Sequence, residues 1–232
     1  MGFILLEGGA EFGGRMADAD RQAVKLAGGF DMPIRIIPAA AAPDHNHQRA
    51  GQNGIDWFQH LGATDVSSLA LIDSRSADDP RIAAELASAR LIYLLGGFPH
   101  YLGQTLKRSR SWQAILEAHS KGAVIAGSSA GAMVLCEYYF DPATSQVQRG
   151  LKLVSGVSIL PHHDTFGKDW AACIKKMHAR IILVGIDEQT AAINDSGPDR
   201  WRVLGKGKVS LYQNDTFRQI SSQQEFTLAI EE

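Results

Sequence analysis

The sequence has little that would mark a secreted, membrane-bound or nucleic-acid-binding protein. Two cysteines among 232 residues, Cys136 and Cys173, are too few for a disulfide framework, and both stand in apolar or helical surroundings that suit a buried thiol. No charge predominates: 23 Lys and Arg offset 25 Asp and Glu, so no global field draws the chain to nucleic acid or to an anionic membrane. Long apolar runs are missing too. Phe3-Ile4-Leu5-Leu6 is too short for a signal-peptide core or a span and lacks a basic segment before it. Met1-Gly2 opens like a myristoylation site, but Leu6 stands where that motif takes Ser or Thr. There is no repeat, no low-complexity tract and no linker rich in Gly, Ser or charge. The expectation is one soluble cytoplasmic domain over residues 1–232, long enough to bury a full core without staples.

What is present is alternation. Short apolar runs at Phe3–Leu6, Ile34–Ile37, Leu69–Ile72, Leu91–Leu95 and Ala123–Ala126 predict strands. Amphipathic stretches at Ala17–Ala27, Gln48–Leu61, Pro80–Ala89 and Ser111–Lys121 predict the helices between them. Asp78-Asp79-Pro80 supplies an N-cap and a first-turn proline, and Gly62 a C-terminal stop. Such βα units feed a mostly parallel sheet covered on both faces, a three-layer α/β/α sandwich. After residue 140 the rhythm changes. Trp170–Arg180 reads as a helix, and Ile181–Gly185, Thr190–Asn194, Trp201–Gly205 and Lys208–Tyr212 read as strands joined by tight turns, extending the same sheet antiparallel.

The sharpest chemical signal follows the apolar strand Ala123–Ala126. Gly127-Ser128-Ser129-Ala130-Gly131 fits the Gly-x-Ser-x-Gly nucleophile elbow in its required strand–turn–helix context. Small flanking residues let neighbouring chains approach, and Ser129 is left exposed at the carboxyl edge of the sheet. A serine nucleophile needs a base and an orienting acid. Downstream stand Ile159-Leu160-Pro161-His162-His163-Asp164 and, between apolar runs, Gly185-Ile186-Asp187-Glu188-Gln189-Thr190. If these ends converge, the order is Ser129, His162, then an acid from the second segment, whereas α/β-hydrolases place the acid before the histidine. Asp187 competes with Glu188, and Asp141 would restore the hydrolase order. A metal site is disfavoured, because adjacent histidines on extended backbone face opposite ways. Gly8, Gly9, Gly13 and Gly14 fit no nucleotide-binding fingerprint, so close backbone packing is their expected use and no cofactor is expected. Asp44, His45 and His47 form a polar loop near the same edge.

Taken together these segments resemble the peptidase E and cyanophycinase family of serine peptidases, whose fold is similar to class I glutamine amidotransferase (flavodoxin-like) domains. The resemblance rests on Gly8-Gly9, on Leu94-Leu95-Gly96-Gly97 followed by Leu102, on the elbow from Ser129 to Ala132, on Gly150-Leu151 leading to His162, and on Gly185 to Ala191. It implies Ser129 as nucleophile, His162 as base and Glu188 as orienting acid, with the amides of Gly97 and Ala130 as oxyanion hole. Small peptides or isopeptides are the implied substrates, attacked through an acyl-enzyme. The amidotransferases place cysteine in the elbow; this chain has serine. A homodimer is also allowed by the resemblance, although the sequence shows no interface.

Specificity does not carry over. Phe98-Pro99-His100 stands where the relatives have Asn-Thr-Phe or Asp-Gln, and Leu160-Pro161 precedes the histidine where cyanophycinase has Asp-Gln. Phe166-Gly167-Lys168 replaces the arginines that follow. Phe98, His100, Gln104 and Asp164 are the candidate substrate contacts of this chain, while Tyr101 and Leu102 fit a core role equally. The alternatives to a peptidase are an esterase or amidase on the same fold, or a binding protein that kept the fold without turnover.

Overall fold

The computed structural model describes residues 1–177, 181–197, 199–213 and 216–228. The first half is βα units: β1 (Ile4–Glu7), α1 (Met16–Leu26), β2 (Ile34–Ile37), α2 (His47–His60), β3 (Val66–Ser68), α3 (Ser74–Ala77), α4 (Pro80–Ser88) and β4 (Leu91–Leu94). Then come α5 (Pro99–Leu106), α6 (Arg110–Ser120), β5 (Val124–Ser128), α7 (Ala130–Leu135), the hairpin β6 (Tyr138–Asp141) and β7 (Gln146–Arg149), β8 (Val157–Leu160) and α8 (Trp170–Met177). Six strands close the described chain: β9 (Ile182–Ile186), β10 (Thr190–Ile193), β11 (Arg200–Gly205), β12 (Lys208–Gln213), β13 (Thr216–Ser221) and β14 (Glu225–Thr227).

The large sheet has the order β14-β11-β10-β1-β5-β4-β2-β3. Strands β1 to β5 are mutually parallel, and β10, β11 and β14 add antiparallel along the β1 side. Period-two alternation sends successive side chains to opposite layers. Ile4, Leu6, Ile92, Leu94 and Ile125 pack with Leu86 of α4 and Trp112 and Ile115 of α6. Leu5, Tyr93, Val124 and Ala126 pack with Met16, Ala23 and Val24 of α1 and Phe58 of α2. The four early helices begin and end within one residue of their predicted bounds. Asp79 caps α4 by accepting from the Arg81 N–H at 2.8 Å with Pro80 in the first turn, and Gly62 follows α2 at φ +110°.

Two expectations change. The run Leu69–Ile72 is not a strand: β3 lies just before it, at the sheet edge, and Leu69 and Leu71 are instead buried in the α4–α6 layer. Burial, which an apolar run signals equally for strand and loop, placed that segment. The late strands also do not all extend one sheet. β10 and β11 do, but β9 and β12 belong to a second sheet of order β13-β12-β9-β8, in which β8 and β9 are parallel. Helix α8 covers Trp170 to Met177 of its predicted span, and residues 178–180 lie outside the described residues. No helix among the described residues is long and apolar enough to cross a membrane.

The α1 layer holds two fully buried acids. Glu7 ends β1 and its Oε2 accepts from the Tyr93 hydroxyl; Asp20 on α1 accepts at Oδ2 from Trp57 Nε1 at 2.8 Å. The remaining oxygen of each has no partner unless the two carboxyls share a proton. Burial is the main cause that raises both, Asp20 to about 7, and the Asp20 charge raises Glu7 further. Raised acids hold protons in the fold that the unfolded chain releases near pH 4, so the stability they support is full below pH ~4 and drains as pH rises through 7. Asp20→Asn keeps the oxygen that faces Trp57 and removes the Asp20 titration together with the charge that raises Glu7. Thermal unfolding between pH 5 and 8 is expected to show a falling Tm in the parent and a flatter profile in Asp20→Asn; parallel profiles would contradict the shared proton.

Candidate active site

Strand β5 runs into Ser129 at the carboxyl edge of the large sheet. There the backbone turns at φ +47°, ψ −110°, a conformation that costs a non-glycine residue on the order of 1–3 kcal/mol. Three features hold it. The Ser129 N–H donates to the Glu7 carbonyl at 3.0 Å, tying the turn to β1. A β-carbon on Gly127 would lie 2.6 Å from the Gly131 carbonyl carbon, and one on Gly131 would lie 2.2 Å from the Leu94 oxygen. The elbow therefore fits only with glycine at both positions.

The other two groups come from the small sheet. Parallel pairing sets Leu160 of β8 beside Gly185 of β9, so both strands leave the sheet at one edge, carrying His162 and Glu188. The glycine loop after β1 ties these ends to the elbow. The Gly8 carbonyl accepts from the His162 N–H at 2.7 Å, and the Gly9 carbonyl from the Gln189 N–H at 3.0 Å. A β-carbon on Gly8 would lie 2.2 Å from the Asp187 oxygen, and one on Gly9, where φ is +122°, would lie 2.2 Å from the His162 ring. The early Gly-Gly is thus the seat of the imidazole.

Ser129, His162 and Glu188 form one hydrogen-bonded row. His162 Nε2 is 3.0 Å from Ser129 Oγ, and His162 Nδ1 is 2.8 Å from Glu188 Oε1. A carboxylate only accepts, so Nδ1 carries the hydrogen and Nε2 is the acceptor for the serine hydroxyl. Asp164 is exposed, and its Oδ1 accepts from the Glu188 N–H at 2.9 Å and so fixes the Glu188 backbone. The Phe166 ring stacks on His162, centroids 4.9 Å apart and 19° between planes, while half its own surface stays exposed.

The competing acids lie elsewhere. Asp187 accepts from the Lys208 N–H at 2.9 Å and stands 3.6 Å from Nδ1 of His163. Asp141 is spent on the β6–β7 turn, accepting from Ala143 N–H and Thr144 Oγ1. His163 points away from His162, buried against Tyr212 at 2.9 Å, and burial lowers its pKa so that it is neutral near pH 7. No group of three or more His, Cys, Asp or Glu side chains among the described residues is arranged to hold a metal ion. Cys136 is buried, with its thiol pushed far up by burial, and is no nucleophile.

Gly97 has φ +135°, and a β-carbon there would meet the Ala40 oxygen at 2.3 Å. The Gly97 and Ala130 N–H groups donate to no other group among the described residues. Phe98 is 43% exposed at the start of α5, His100 Nδ1 is 3.2 Å from the Tyr139 hydroxyl, and Gln104 is exposed one turn on. Leu102 is buried and Tyr101 exposed. A cavity of about 820 Å³ opens beside Gly96 and Gly97, bordered by Glu11, Asp44 and residues of α2. Glu11, two residues beyond the glycine pair after β1, accepts from Ser128 Oγ at 2.8 Å beside the elbow.

Residues 3–197 match the family model described as Peptidase family S51. The chain belongs to that family. As a member of peptidase family S51 it is a serine peptidase that hydrolyses peptides or isopeptides. Cyanophycinase of Synechococcus elongatus is 29% identical over 222 residues, covering 90% of this chain and 67% of the relative. That of Trichormus variabilis is 27% identical over 220 residues, covering 90% and 72%. Among solved structures, a peptidase from an acI-B1 Actinobacterium superposes with TM-score 0.87 at 30% identity, covering 98% of this chain and 97% of its own. A putative peptidase E from Listeria monocytogenes EGD-e, at 21% identity and TM-score 0.62 over 92% and 98%, shares the fold.

The seat of the imidazole is directly testable. Gly9→Ala puts a methyl group into the His162 ring and strains a left-handed residue, so kcat is expected to fall about 100-fold while the urea midpoint drops modestly. Unchanged kcat would show that the ring position does not depend on this glycine.

Proposed function

We propose that Ser129, His162 and Glu188 are the catalytic triad of this S51 peptidase. The observation that carries the proposal is the unbroken row from Ser129 Oγ through both ring nitrogens of His162 to Glu188 at 3.0 and 2.8 Å. Ser129 Oγ attacks the scissile carbonyl carbon as His162 Nε2 takes the hydroxyl proton. The carbonyl electrons move to oxygen, where the Gly97 and Ala130 N–H groups donate to it. The intermediate collapses, His162 returns the proton to the leaving amine, and an ester on Ser129 remains. Water then attacks that ester, gives its proton to His162, and the proton goes back to Ser129 as the acid product leaves. Glu188 keeps the hydrogen on Nδ1 throughout and stabilises the imidazolium.

The neighbouring groups support this division of labour. Asp164 holds Glu188 from behind, and the exposed rings of Phe98, next to Gly97, and Phe166, on His162, offer apolar faces to a substrate. His100, tied to Tyr139, is a supporting residue of α5, and Gln104 is left as a contact for longer substrates.

A panel of dipeptides, aspartyl and isoaspartyl ones included, tests the assignment. Ser129→Ala and His162→Ala are expected to abolish turnover above background, and Glu188→Gln to lower kcat by about 10³–10⁴-fold with KM little changed. Asp187→Asn and Asp141→Asn should stay within about tenfold of the parent. A larger loss in Asp141→Asn than in Glu188→Gln would transfer the acid role to Asp141.

A further inference from the structure

The His162 imidazole is held at its edges and on both faces. Nδ1 meets Glu188 at 2.8 Å and Nε2 meets Ser129 at 3.0 Å, which takes the two nitrogen edges. A β-carbon on Gly9 would lie 2.2 Å from Cε1, 2.6 Å from Nε2 and 2.8 Å from Nδ1, so the Gly9 backbone lies over one face of the ring. That face has no room for a second ring, and Phe166 covers the other, with centroids 4.9 Å apart and 19° between planes. The chain builds this contact locally. The His162 carbonyl accepts from the N–H groups of Thr165, Phe166 and Gly167 at 3.0, 3.0 and 3.1 Å, a tight turn that brings residue 166 back beside residue 162. A β-carbon on Gly167 would lie 2.0 Å from the Pro161 oxygen, so the turn closes only with glycine there. The Phe166 ring is then braced from behind: it meets Trp170 at 5.7 Å and 61°, and Trp170 stacks on the buried Phe140 at 5.2 Å. A row of aromatic rings thus runs from the core to the imidazole, and its last member, Phe166, is half exposed.

The reaction gives that covered face a use. When Ser129 Oγ attacks, its proton passes to His162 Nε2, and the ring is a cation until the proton goes on to the leaving amine. Glu188 meets this charge at the Nδ1 edge. The face of a benzene ring is the negative pole of its quadrupole, and a cation within about 6 Å of the ring centre is attracted to it. An aliphatic side chain in the same place would fill the space without that attraction. We infer that Phe166 is a positioning residue of the reaction, whose ring clamps the imidazole against Gly9 and stabilises the positive charge that His162 carries in the transition state. The inference rests on His162 being the base for Ser129.

The test replaces Phe166 by mono-, di- and trifluorophenylalanine, which keep the shape of the ring while removing negative charge from its face, and by Leu and Trp. Two rates are read: labelling of Ser129 by a fluorophosphonate that carries no peptide group, and turnover of the best dipeptide of the panel. The labelling rate and kcat are expected to fall stepwise with fluorination, roughly 3- to 30-fold by the trifluoro ring, with KM within about twofold of the parent. Phe166→Leu should fall at least as far, whereas Phe166→Trp, which restores a strong cation-binding face, should stay within about threefold of the parent. A flat fluorine series would overturn the inference: with Phe166→Leu slow, the ring only packs, and with Phe166→Leu unchanged, it does neither. A rise in KM with the labelling rate unchanged would overturn it as well and make Phe166 a substrate contact. His162→Ala labelled at the parent rate would remove the base itself, and this inference with it. The fluorinated rings preserve the packing, so the series decides the matter even if Phe166→Leu does not fold.

Discussion

The site depends on one hydrogen bond between neighbouring parallel strands, from the strained Ser129 amide to the carbonyl of Glu7. A backbone at φ +47° returns to ordinary geometry unless its surroundings fix it. Here the amide is tied to β1, and the glycines at 127 and 131 leave room for no other path. The same β1 that receives this bond continues into Gly8 and Gly9, whose carbonyls hold His162 and Gln189. One short segment, Glu7-Gly8-Gly9, therefore locates Ser129, His162 and the loop of Glu188, the three members of the proposed triad. Neighbouring strain at His162, φ +47°, and Gln189, φ +52°, fits a segment where three chains are forced together.

Two sheets meet at this segment, and the division gives each member of the proposed triad a rigid support. Ser129 is delivered by the centre of the large sheet, His162 and Glu188 by adjacent parallel strands of the small one. The placement of His162 relative to Glu188 is then set by strand register, whereas their placement against Ser129 is set by the glycine loop. The buried acids Glu7 and Asp20 lie under the same loop, so the support of the nucleophile and the proton content of the core are connected through β1.

Much of this was legible in the sequence because it is encoded locally. The early helices carry their own caps and periodicity, as Asp79-Pro80 and Gly62 show, and the elbow carries its own small residues. Ser129 and His162 follow from motif order, whereas Glu188 in preference to Asp187 or Asp141 follows only from the family resemblance; the row of hydrogen bonds links those three residues. Partner choice was not legible. β9 and β10 are both short apolar runs separated by three residues, yet they enter different sheets, a choice made by the turn at Asp187–Gln189 and by what each face finds to cover it. Leu69–Ile72 was misread for the same reason, since burial alone does not distinguish a strand from a buried loop. The β6–β7 hairpin and α5 were missed because neither shows a clear period: α5 opens at Pro99, with aromatic and polar residues mixed over two turns.

In the proposed mechanism the strained elbow presents Ser129 to a carbonyl whose oxygen meets the Gly97 and Ala130 amides. The most direct measurement is a crystal structure of the protein after reaction with a fluorophosphonate. The expected result is a single phosphonyl group on Ser129 Oγ, with its oxygen within about 2.7–3.1 Å of both amide nitrogens and His162 still hydrogen-bonded to Glu188. An adduct on another residue, or one on Ser129 whose oxygen faces solvent away from Gly97 and Ala130, would contradict it.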